Sequence, residues 1–215
     1  MIESEAEARA HSATLCDADA VARLEQFIGL LEAENARQNL ISNKSLESVW
    51  QRHIADSLQL LAHVPRGTSV GTAETSPWMD LGSGAGMPGL VLAIARPDLE
   101  IHLVESRKKR VQWLEGVAKH FGLEKCHVHG SRLENVESAP MRVICARAFA
   151  PLGKLLSLSA RFSTQETVWL LPKGRSAGQE LMEQPESVRK MFHVEQSATD
   201  PQAGIMIGLG RPPIQ

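Results

Sequence analysis

Three glycines in five residues, Gly82, Gly84 and Gly86, follow Asp80 and lead into Met87-Pro88-Gly89. Glycine lacks Cβ, so this backbone can take positive φ and let a ligand approach closely. Pro77-Trp78-Met79 before the glycines reads as the end of a short buried strand. Leu90 to Ala95 after them reads as a buried helix, stopped by Arg96-Pro97, whose free N–H groups need partners. Pro88 suits the first helical turn, where its missing N–H costs nothing. Glu105 closes a second apolar run about 20 positions past the turn, where an acid accepts hydrogen bonds from ribose hydroxyls. The chemistry indicated is capture of an adenosine-bearing ligand.

Two such ligands fit. Gly84, Gly86 and Gly89 match G-x-G-x-x-G, the dinucleotide fingerprint. Asp80 with Gly82, Gly84 and Gly86 instead resembles the glycine turn of S-adenosylmethionine (SAM)-dependent methyltransferases. A carboxylate at the strand end repels a pyrophosphate but suits a ligand carrying an ammonium and a sulfonium. Glu105 serves either ligand.

The elements that position these residues follow from periodicity. Residues 1–16 read as a flexible tail. Asp17 or Asp19 caps a helix with Val21, Leu24, Phe27, Ile28 and Leu31 on one face. A second helix carries Leu46, Val49, Trp50, His53, Ile54, Leu58 and Leu61 at steps of three and four. His53 lies on that stripe as a hydrogen-bonded core histidine would, and Arg52 and Asp56 are spaced to pair at the surface. Residues 17–63 therefore form a helical extension, and the loop from His63 to Pro77 joins it to residues 64–215. There, strands at 100–105, 126–130, 142–146 and 167–171 alternate with helices. Ser106 is placed to cap the second of these helices. Phe192 to Gln196 and Gly204 to Leu209 close the chain as a pair of strands. The pattern predicts an α/β fold, a mostly parallel doubly wound sheet. Arg147 follows the fourth strand, outside whose carboxyl end ligands sit; a structural pair with Glu134 is its other reading.

Composition narrows the classes. The formal charge of −2 over 215 residues excludes a generic polyanion binder, so nucleic-acid contact must come from a local basic patch. Arg107-Lys108-Lys109-Arg110 is one such run; Lys44, Arg52, Lys173 and Arg175 are other cations near loops. Three separated cysteines give no disulfide framework and point to a reducing cytosol. The start lacks a signal peptide's basic and apolar segments, and no run approaches the roughly 20 apolar residues that span a bilayer. His127 and His129 alternate on one strand face, but no third ligand lies near them in sequence, so they read as strand surface and no metal is expected.

The residues also resemble a known family. Asn39-Leu40, the block Arg52-His53-x-x-Asp56-Ser57, the stretch from Asp80 to Gly89, Glu105-x-x-x-Lys109, Ser131-Arg132-Leu133-Glu134 and Arg147-Ala148 together resemble the ribosomal small-subunit methyltransferase G family, also called glucose-inhibited division protein B. The resemblance runs from about residue 20 to about residue 185. It implies a class I methyltransferase, with a Rossmann-like doubly wound sheet and an N-terminal helical extension, that methylates N7 of a guanine in 16S rRNA, the guanine-527 site of the family. SAM is the implied cofactor, with 16S rRNA in the small ribosomal subunit as partner and a cytoplasmic monomer as the form. Carried over, Asp80, Gly82, Gly84 and Met87 line the cofactor, Glu105 holds its ribose, Leu133 and Glu134 flank its adenine, and Arg147 belongs to its pocket. Arg52, His53 and Lys173 face RNA, and no residue is assigned as catalytic, because N7 has no proton to remove. Met87, Cys145-Ala146 and Met141-Arg142 depart from the family's usual residues. An NAD-dependent oxidoreductase and a non-catalytic rRNA-binding factor on the same scaffold are the alternatives.

Overall fold

Alternation along short apolar runs puts every second side chain on the opposite face, so a sheet apolar on both faces must be covered twice. A computed structural model, describing residues 1–64 and 77–213, shows that arrangement. Strands β1 (Trp78–Leu81), β2 (Ile101–Val104), β3 (Cys126–His129), β4 (Val143–Cys145), β5 (Val168–Lys173), β6 (Phe192–Gln196) and β7 (Gly204–Leu209) form one sheet in the order β3-β2-β1-β4-β5-β7-β6. β1 to β5 are parallel, and β7 runs antiparallel to both β5 and β6. Trp78, Ile101 and Leu103 join Leu90, Ile94 and Leu114 in one apolar cluster. Met79, Leu81, Ile144 and Trp169 join Leu155 and Phe162 in the other. Part of the 63–77 loop, residues 65–76, lies outside the described residues. No helix among the described residues is long and apolar enough to cross a membrane.

The amino-terminal residues depart from the expected tail. Helix α1 spans Glu5–Leu15, with Ser4 Oγ accepting the Glu7 N–H at its start. It buries Ala8 and Ser12, residues too small to write an apolar stripe in the sequence. Ile2 donates its N–H to the Ala198 carbonyl (2.9 Å), and Arg9 pairs with Glu25 of α2 (Ala18–Gln38). Asp17 caps α2, Asn39 ends it in the left-handed region, and α2 lies against α5 (Gly89–Ala95).

The expected single helix over residues 46–61 is broken into α3 (Asn43–Leu46), a π-helical stretch Trp50–Ala55, α4 (Asp56–Leu58) and a 3-10 stretch Gln59–His63. The cause is Glu5. Its two carboxylate oxygens accept the N–H groups of Trp50 (2.9 Å) and Gln51 (2.8 Å), which take the place of the usual carbonyls one turn earlier. The remaining helices are α6 (Lys108–His120), α7 (Leu152–Ser159), α8 (Ala177–Met182) and α9 (Glu186–Arg189). Replacing Glu5 by Ala strands two half-buried amides and is expected to cost about 1–3 kcal/mol in urea unfolding. Glu5→Gln, which keeps one acceptor oxygen, should lie between that variant and wild type.

Candidate active site

The turn after β1 is held in shape by two acids. Gly82, Gly84 and Gly86 have φ of 71°, 58° and 108°, a region where side chains are strained. A Cβ on Gly82 would stand 2.7 Å from the ring of Phe149, and one on Gly89 2.6 Å from Asp80 Cβ. Asp80 is fully buried and its Oδ2 accepts the Gly89 N–H (3.0 Å), so the carboxylate ties the end of β1 to the first residue of α5. The sequence led us to expect this carboxylate to face a ligand's charge; the side chain is sealed beneath the turn. Burial pushes its carboxyl up to about 6, against the opposing pull of the Gly89 N–H and the Arg147 charge.

Glu105 sits at the expected place, buried at the end of β2. Its Oε2 accepts the Gly84 N–H (3.0 Å) and its Oε1 the Arg107 N–H (2.8 Å). The residue that precedes α6 is Arg107, not the expected Ser106, and it makes no side-chain cap bond. A carboxylate has about four lone-pair sites, so each oxygen keeps capacity for a hydroxyl donor. Arg110 and Trp113 on α6 complete this side. Arg110 Nη1 would lie 3.2 Å from a Cβ on Gly84, and the Trp113 indole N–H donates to the Ala85 carbonyl (3.0 Å). Met87 is buried in the core beside the turn.

Arg147 leaves the end of β4 and enters the helical extension rather than pairing with Glu134. Its Nη1 donates to Asp56 Oδ2 (3.0 Å) and to the Arg52 carbonyl (3.0 Å), while Nη2 donates to His53 Nδ1 (2.8 Å). The π-helical stretch brings these three groups round one guanidinium; such widened turns are frequent at functional sites. Asp56 Oδ1 also accepts from Thr199 Oγ1 (2.8 Å) and Gln59 Nε2 (2.9 Å). Arg52 pairs with Asp200 (2.9 Å), not with Asp56. Because arginine only donates, His53 Nδ1 must accept, and the ring proton lies on Nε2, which has no partner among the described residues. Burial, then the Arg147 and Arg52 charges, push His53 down to about 3, so it is neutral at ordinary pH.

Around this clasp lies a cavity of about 530 Å³, outside the carboxyl ends of β4 and β5. Arg52, Asp56, Arg147, Phe149, Lys173 and Thr199 are among its lining residues. Its size suits a ligand pocket and its place is where open α/β sheets bind. Phe149 joins the cavity to Gly82 and was not singled out from the sequence. No spacing in the sequence points to it; in the structure the adjoining Ala148, at φ 55°, turns the chain there. Lys173 lines the cavity with its charge already paired to Glu180 (2.6 Å) and a bond to the Ala150 carbonyl (3.1 Å), so it is not a bare cation aimed at phosphate. Leu133 is buried, with its carbonyl held by Arg161 (2.6 Å), and Glu134 is exposed. Of the basic run, Arg107, Lys108 and Lys109 are exposed at the start of α6, apart from the cavity.

The sheet order, the glycine turn and the acid after β2 define the Rossmann-like fold of class I SAM methyltransferases. Similar solved structures share the fold at low identity. A fibrillarin/Nop5p complex matches with TM-score 0.55 and 10% identity over 74% of this chain and 82% of that one. A mutant of MtNAS in complex with S-adenosylmethionine matches with TM-score 0.52 and 15% identity over 86% and 76%. Within that class a family model, GidB: rRNA small subunit methyltransferase G, matches residues 20–203, and the chain belongs to that family. The ribosomal RNA small subunit methyltransferase G of Erythrobacter litoralis is 56% identical over 98% of this chain and 99% of its own length. The protein of that name from Novosphingobium aromaticivorans is 52% identical over 96% and 87%.

Two predictions follow from the turn and the clasp. Gly89→Ala drives a methyl group into Asp80 and should cost about 1–3 kcal/mol in denaturant unfolding, with weaker SAM binding by calorimetry. The second concerns pH. His53, with its pKa lowered from 6.5, adds stability that is full above pH 6.5 and is lost as pH falls toward 3. Asp80, raised from 3.8, adds stability that is full below pH 3.8 and is lost as pH rises through 6. The two slopes oppose each other between pH 4 and 6. His53→Gln removes one of them, so the stability gap between wild type and variant should narrow on acidification, by up to about 1.4 kcal/mol per pH unit.

Proposed function

We propose that the protein transfers a methyl group from SAM to N7 of a guanine in 16S rRNA, the guanine-527 site of its family, in the cytoplasm and as a monomer. The observation that carries the reading is the adjacency of two compartments, the glycine turn with Glu105 and the clasp-lined cavity, joined by Phe149.

The residues fit the cofactor. Three left-handed glycines remove every second Cβ from the turn, and Glu105 retains acceptor capacity for the ribose. Gly82 and Met87 would line the cofactor's methionine end, and Leu133 and Glu134 its adenine. When bound, SAM supplies a methyl group on a sulfonium. The protein's own task is to admit a splayed guanine into the cavity, hold its N7 toward the turn and exclude water. N7 has a lone pair and no proton, so no base is required; the neutral His53 and the fully engaged Asp56 suit that role. Positioning of this kind can supply about 7–11 kcal/mol of barrier reduction. The N7 edge faces a narrow groove in duplex RNA, which favours a loop or splayed base as substrate. Exposed Arg107, Lys108 and Lys109 are the proposed phosphate contacts.

The test is labelled methyl transfer from SAM to small subunits that lack the modification, mapped by reverse transcription after N7-specific cleavage. One site is expected. Transfer to no site, or NADH binding in preference to SAM, would overturn the reading and favour the non-catalytic or oxidoreductase alternative. Arg147→Ala should slow transfer about a hundredfold by freeing the cavity wall, whereas His53→Gln should retain measurable transfer. Lys108→Ala should reduce the salt dependence of RNA binding by about 0.7 of a unit in the log–log slope.

A further inference from the structure

Away from this site, the edge of the sheet gathers four metal-ligating side chains. The parallel register sets His102 of β2 directly opposite His127 of β3, so both point from one face. Period two adds His129 on β3 and Glu100, just before β2, to that face. The ring centroids of His102 and His127 are 4.9 Å apart. Glu100, His102 and His127 each offer a ligand atom within 4.8 Å of the others, the one such group among the described residues. Glu100 Oε1 lies 3.1 Å from His102 Nε2. The other nitrogen of the same ring, Nδ1, lies 2.9 Å from His129 Nε2, and the two rings are nearly parallel.

We propose that Glu100, His102 and His127 bind a first-row divalent cation of the zinc type, with His129 as the residue that orients His102. Two imidazoles and one carboxylate are a ligand set that suits zinc, with further positions left to water. Metal-bound histidines characteristically donate their second ring N–H to an acceptor, which fixes tautomer and ring direction. His129 Nε2 is in place to accept from His102 Nδ1 while His102 Nε2 faces the ion. The proton that His102 Nε2 holds toward Glu100 moves to its Nδ1, and the one that His129 Nε2 gives to that bond moves to His129 Nδ1, so both rings change tautomer and stay neutral. His127 and His129 alone do not make a site; the further ligands come from the neighbouring strand, about 25 residues earlier, and only the parallel pairing unites them. The ion would pin β3, an edge strand, to β2. The His129 carbonyl accepts the Glu105 N–H (3.1 Å), so the pinned pair ends at the acid of the glycine turn.

The test is a cobalt(II) titration of the full chain, read by the visible d–d absorption of the bound ion, with zinc as competitor. One saturable equivalent displaced by zinc is expected. His127→Ala, at an exposed position, and His102→Ala should each abolish it. His129→Ala should keep one equivalent and weaken it about 10–100-fold. His193→Ala, which removes another imidazole beside a carboxylate, Glu195, should change nothing. No saturable equivalent in the wild type, or wild-type binding by His127→Ala with native circular dichroism, would overturn the proposal. So would intense sulfur-to-cobalt absorption lost in Cys126→Ser, which would place the ion on thiolate instead.

Discussion

The contact on which the site depends is the ion pair of Asp56 and Arg147. Its partners lie 91 residues apart, and Asp56 also receives Thr199, 143 residues further on. One carboxylate thereby gathers the helical extension, the end of β4 and the loop between β6 and β7. A half-buried pair of this kind adds little if both members are replaced by apolar groups, but removing one strands the other. Its value is geometric. It fixes the cavity wall by means that apolar packing, which has no direction, cannot supply.

The second constraint is electrostatic. Asp80 and Glu105 place two carboxyl groups against one glycine turn, and each is satisfied by N–H groups of the backbone it shapes. Burial works against Asp80 as an anion and against His53 as a cation. The interior thus resists charge of either sign, and the cations nearest the cavity, Arg52, Arg147 and Lys173, are all paired. Net charge near zero and a paired cavity go together, and the exposed start of α6 is the longest run of cations in the chain.

The doubly wound sheet was legible because its strands are short apolar runs punctuated by glycine and proline, a local signal. The positions of Glu105 and Arg147 were legible for the same reason, since strand ends place them. Their partners were not. Arg147 is tied to Asp56 rather than Glu134 because the β6–β7 loop and the extension converge there, which no spacing encodes. Helix α1 was unreadable by periodicity, since Ala8 and Ser12 bury little area; the Ser4-x-x-Glu7 capping pattern was its one visible trace. The break at Trp50 follows from Glu5, 45 residues away. The histidine cluster hid in the same way, split between two strands that only pairing aligns.

The indole of Trp113 offers an optical consequence. The chain has four tryptophans and no tyrosine, so its ultraviolet emission comes from indoles alone. Trp78 and Trp169 are sealed in the interior, and Trp50 is nearly so. Trp113 alone is bonded to the glycine loop, through the Ala85 carbonyl. The protein therefore carries its own fluorophore on the glycine turn, and a red or blue shift of indole emission reports movement there without any attached dye.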